Sequence, residues 1–103
     1  MAGQNKVNTA DLGEDGLKAL REFFEARFAG DPTIRRAVVG VLDSIIEGWQ
    51  SSGSMSPDSF ESLKARLTPR FDALASLPTT DCKPQCDGLV DDWEDLAPQI
   101  SWG

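Results

Sequence analysis

Apolar residues along this chain recur in steps of three and four, the signature of helices that each bury one face. The first stripe runs Leu17, Leu20, Phe24 and Phe28, with Phe23 at its edge and Lys18, Arg21, Glu22 and Glu25 mostly on the other sides. Asp11 and Glu14 have the spacing of a capping box. The helix is therefore expected to open near residue 11 or, because Gly13 and Gly16 weaken the first turn, near Asp15. Gly30 is placed to end it as a left-handed residue. Asp31-Pro32 then supplies an N-cap carboxylate and a proline where a missing amide costs nothing. The second stripe, Ile34, Val38, Val41, Leu42, Ile45 and Trp49, is widened by Ala37, Val39 and Ile46. Its β-branched residues would suit a strand, but the turn signals on both sides and the length favour a helix, the most apolar and so the most central.

Ser51-Ser52-Gly53-Ser54 reads as a loop, and Ser56-Pro57-Asp58 repeats the N-cap and proline device. Phe60, Leu63 and Leu67 form the third stripe. Thr68-Pro69 looks like another start, with Phe71, Leu74 and Leu77 continuing the spacing, so two short helices meeting at Pro69 are expected rather than one kinked helix. Residues 11–78 thus read as a helical bundle, antiparallel because its loops are short, preceded by a flexible arm over residues 1–10.

The composition changes after Pro78. Residues 79–88 show no apolar period; Leu89, Trp93 and Leu96 then share a helical face, with Asp87 as a cap and Pro98 as a stop. Ile100 and Trp102 follow on a short strip. This segment, 79–103, either docks on the bundle or offers itself to a partner. The expected fold class is all-α, a small antiparallel bundle of three to four helices with an acidic C-terminal extension.

Charge sharpens the second reading. The chain carries 17 acidic and 10 basic residues, a net charge of −7, yet residues 1–78 are nearly balanced. Residues 79–103 hold Asp81, Asp87, Asp91, Asp92, Glu94 and Asp95 against Lys83 alone. Trp93, Leu96, Ile100 and Trp102 are the candidate anchors for a larger protein with a basic or apolar groove, and Asp91, Asp92, Glu94 and Asp95 the acids that speed the encounter. A chain of this sign disfavours direct nucleic-acid binding.

Candidate chemistry is sparse. The 103 residues include no histidine and no tyrosine, which removes the usual general base and the commonest metal ligand. Cys82 and Cys86 are too few for a four-ligand zinc site, and nearby acids oppose a reactive thiolate. They are two plain thiols, a local disulfide or a redox pair, and the spacing leaves the choice open. No enzyme, cofactor or metal is expected. No apolar run is long enough to span a membrane and no secretory signal is evident, so a cytoplasmic protein without membrane contact is expected. A core this small is marginal, which makes a partner or a homodimer plausible.

Two alternatives come from other classes. The acidic end resembles a nucleic-acid mimic that blocks a DNA- or RNA-binding enzyme. Separately, Phe23-Phe24-Glu25-Ala26-Arg27-Phe28 resembles the Phe-Phe-Ala-Arg-Phe leader helix of microviridin-type graspetide precursors, and Asp92-Trp93-Glu94-Asp95 is similar to their acidic core. That resemblance covers about ten residues. It implies a modified-peptide precursor, read by an ATP-grasp ligase that would esterify Thr79 and Thr80 with Asp92, Glu94 or Asp95. The chain departs from the family by an extra residue in the leader motif, by the core spacing, and by the long intervening helical region.

Overall fold

The computed structural model describes Thr9 and residues 11–102, so the arm expected over residues 1–10 lies, Thr9 apart, outside the described residues. Four helices follow in order: α1 (Glu14–Arg27), α2 (Pro32–Ser52), α3 (Pro57–Ser76) and α4 (Lys83–Leu96). Short 3-10 turns over Thr79–Asp81 and Ala97–Gln99 flank α4. The molecule is a small all-α bundle, as the apolar spacing predicts.

The start signals of α2 and α3 act as read. The Asp31 carboxylate accepts from the Ile34 amide at 3.2 Å, and the Ser56 hydroxyl accepts from the Ser59 amide at 3.3 Å, each ahead of a proline in the first turn. The signals around α1 act differently. Gly13 stands at its N-cap without a side-chain bond, and the Asp11 carboxylate accepts from the Gly13 amide instead, so the capping box does not form. Gly30 takes no left-handed conformation: α1 stops at Arg27, and the Asp31 amide closes the turn onto the Phe28 carbonyl at 2.9 Å.

α3 continues through Pro69 where a break was expected. An internal proline costs a helix about 3 kcal/mol. Leu67, Phe71 and Leu74 lie on one face across that point, each fully buried, and burying each side chain contributes about 1.5–3 kcal/mol. Keeping the face continuous outweighs the lost bond.

α1 and α2 form one hairpin, α3 and α4 a second, and α2 also packs on α4. Phe24 ties the halves together, stacking on Phe28 just past the end of α1 and on Phe71 of α3, both at 5.9 Å between ring centres. Arg27 closes the end of α3 by donating to the Leu74 carbonyl at 2.8 Å and to the Leu77 carbonyl. A cation there complements the negative end of the helix.

Residues 79–102 do not stand apart as an extension. α4 is the fourth member of the bundle, with Cys82, Cys86, Leu89 and Leu96 in the core. It opens at Lys83, four residues ahead of the expected cap, and Asp87 sits inside it paired with Lys83 at 3.6 Å. The reason lies in the cysteines. As small apolar residues they extend the stripe backwards, so that Cys82, Cys86, Leu89, Trp93 and Leu96 step by four, three, four and three.

Candidate functional site

The eight residues proposed from sequence as a partner-binding face all lie on α4 and the strap that follows it, but they divide into three groups. Leu96 is 4% exposed and belongs to the core. Trp93, Ile100 and Trp102 are half-buried and rest against that core with part of each side chain outside. The four acids split by helix face. Asp92, partly buried, and Asp95, itself exposed, pair with α3, whereas Asp91 and Glu94 are exposed with no basic partner among the described ion pairs.

Arg66 and Arg70, one turn apart on α3, are what Asp92 and Asp95 meet. Arg66 donates to Asp92 at 2.9 Å and to Asp95 at 2.7 Å, and Arg70 donates to the second oxygen of Asp92 at 2.9 Å. Arg70 also reaches the Gln85 side chain at 3.2 Å. It does so by crossing α4 at Gly88, where a Cβ would lie 2.5 Å from its Nη1. Burial alone would raise the Asp92 carboxyl; hydrogen bonds from Arg70 and Arg66, with their charge, overcome that and hold it below the usual carboxylate range. In the sequence these four acids read as one group. The missed signal was the matching pair of arginines at i and i+4 on the neighbouring helix.

Helical spacing places Asp87, Asp91 and Glu94 in a row on the outer side of α4. Only Asp87 has a basic partner among the described ion pairs, and both members of that pair are largely exposed. The row is therefore an open acidic ridge, and Trp93 sits about a quarter-turn round the helix from Glu94, toward the core.

Cys82 and Cys86 are free thiols, 0% and 4% exposed. The Cys82 thiol points at the Pro78 carbonyl, 3.2 Å away. Burial first, and the Asp87 charge second, push the Cys86 thiol up. Among the described residues no group of three or more potential ligands is arranged to hold a metal ion. No described helix is long and apolar enough to cross a membrane.

The residues behind the graspetide resemblance are placed for packing. Phe24 and Phe28 are buried and Arg27 is engaged with α3. Thr79 and Thr80 lie in the turn before α4, and Asp92 lies more than two turns into that helix. No family model matches the chain, and no curated protein or solved structure matches it at a significant level.

Proposed function

We propose that this protein is a non-catalytic binding module, an adaptor or inhibitor that presents the acidic outer side of α4 to a basic surface on one larger protein. The observation that carries this reading is the division of carboxylates on a single helix. Asp92 and Asp95 are engaged by arginines, while Asp91 and Glu94 are exposed with no basic partner among the described ion pairs. Unpaired exposed carboxylates raise the encounter rate with a basic patch, and the exposed part of the Trp93 indole, on the flank of the same helix, supplies apolar contact. Ile100 and Trp102 add the exposed parts of their side chains, whereas Leu96 acts from beneath by holding α4 in place. A cytoplasmic setting remains part of this proposal. The nucleic-acid mimic is less favoured, because the open ridge is short and the rest of the chain is nearly neutral.

The test uses the full chain with a photo-crosslinking residue at position 91, and a second chain carrying it at position 35 on α2. In extract from the native source, position 91 is expected to yield a discrete adduct that position 35 does not. Adding Glu94→Lys to the position-91 chain is expected to reduce that adduct tenfold or more at low salt. Adducts common to both positions, or indifferent to the charge reversal, overturn the reading.

A further inference from the structure

Beyond α4 the chain turns through Ala97–Gln99 and then runs extended across the start of α3. This strap is held in the manner of an added β-strand. The Ser101 amide donates to the Ser59 hydroxyl at 2.9 Å, and the Ser101 carbonyl accepts from the Ser56 amide at 2.8 Å. Met55 and Trp102 form an antiparallel bridge. Side chains alternate: Ile100 and Trp102 turn inward and are half-buried, whereas Ser101 is exposed.

The receiving surface has a shape of its own. Gly48 forms its floor, where a Cβ would lie 2.2 Å from the Trp102 ring. Trp49 forms a wall, meeting Trp102 edge-to-face at 5.9 Å and Phe60 at 6.0 Å. Trp49 is itself fixed, its indole N–H donating to the Leu12 carbonyl at 3.1 Å. These walls therefore rest on α2 and on a residue ahead of α1, and Met55 and Ser59 come from the start of the α3 segment, so no part of the slot is built by the strap itself. A cleft of about 170 Å³ opens alongside, between Ser59 and Ser62 on one side and Gln99 and Ile100 on the other.

Main-chain pairing for affinity plus pockets for alternate side chains is how folded domains recognise extended peptides. We propose that the slot built by Gly48, Trp49, Met55 and Ser59 is a docking site for an extended segment of a protein partner with the pattern aliphatic-x-tryptophan. Residues 100–102 occupy it in cis, so a partner's segment enters by displacing them. The chemistry of the occupant is read from the strap already seated there: one exchangeable peptide unit, one aliphatic side chain and one indole, with no charge. Cis occupancy lowers the apparent affinity for a partner by the fraction of molecules in which the strap is open, and a tethered competitor acts at millimolar effective concentration.

The probe is a fluorescently labelled peptide of residues 97–102, followed by anisotropy against the full chain. Trp102→Ala in the chain empties the slot and is expected to bind the peptide at least tenfold more tightly than the natural chain does. Ser101→Pro in the chain removes the strap's amide donor without altering the slot, and is expected to give a gain in the same direction even where Trp102→Ala impairs folding. Peptides carrying Ser101→Pro or Trp102→Ala are expected to lose binding. Equal affinity for natural and strap-altered chains, binding to neither, or retained binding by the Ser101→Pro peptide overturns the proposal. Concentration-dependent dimers of the natural chain in light scattering overturn it too, since the occupant would then be a second copy. Reversing the charges of Asp91 and Glu94 is expected to leave peptide binding unchanged, so this proposal and the acidic-ridge reading fail independently.

Discussion

Asp92 is the residue at which a charge expected to face solvent serves the fold. Its two oxygens take hydrogen bonds from two arginines, Arg66 and Arg70. Asp92→Asn keeps the shape and removes the charge. It is expected to destabilise the chain by about 1 kcal/mol, seen as a melting temperature lower by about 4–8 °C. The pH dependence has a definite sign. The folded carboxyl has a lowered pKa, so its contribution is fully present above the unfolded value near pH 3.9 and is lost as pH falls through the folded one. Melting curves of the two chains are therefore expected to differ at pH 7 and converge in acid; a constant gap down to the most acidic pH would assign the loss to something other than ionisation. The thiols give a second prediction. Both are buried, and the Cys86 thiol is raised by that burial, so a colourimetric disulfide reagent at pH 8 is expected to react with neither in the native chain within minutes. Both should react at once in denaturant. Immediate native reaction would mean that α4 is not seated as described, and no reaction in denaturant would mean a disulfide.

α3 is the element on which sequence and structure part most clearly, and Pro69 separates the two views by experiment. In a continuous helix, Pro69→Ala gives the Ala65 carbonyl an amide partner and is expected to stabilise by about 1–2 kcal/mol. Were Pro69 the first residue of a separate helix, the same change would be neutral or harmful, so an unchanged or lower melting temperature would refute continuity. The starts of α2 and α3 were legible because Asp31-Pro32 and Ser56-Pro57 act through local bonds within three residues. Pro69 was misread because its local preference yields to the distant packing of Leu67, Phe71 and Leu74. The onset of α4 is hidden in the sequence for a related reason: Cys82 and Cys86 read as thiols, while in the fold they act as apolar residues. The candidate site was half legible. Composition located the acids and indoles on one segment, but their partners Arg66, Arg70 and Gly48 lie far back in sequence. Nothing local in Gly48 distinguishes the floor of a slot from an ordinary weak point in a helix.

At the scale of the whole molecule, the question is whether the first 78 residues are a domain that carries an acidic end or three quarters of a domain. Leu89 and Leu96 are buried in the shared core, and α4 contacts both α2 and α3. Each of those leucines contributes about 1.5–3 kcal/mol by burial, against a total stability of about 5–15 kcal/mol for an ordinary domain. Deleting residues 79–103 also uncovers apolar surface on α2 and α3, including the side against which the Cys82 thiol rests near Leu74 and Leu77. A chain of so few residues has little reserve, since small domains bury a smaller share of their surface. The deletion is therefore expected to abolish cooperative thermal unfolding and to raise binding of an apolar fluorescent dye, with much of the helical signal persisting in a loosened state. Cooperative melting of the shortened chain near the parent temperature would show that α4 contributes no stability to the bundle. The same outcome would remove the physical reason why a helix with buried Leu89 and Leu96 must keep its Asp91 and Glu94 facing outward, and with it the rigid presentation on which the acidic ridge depends.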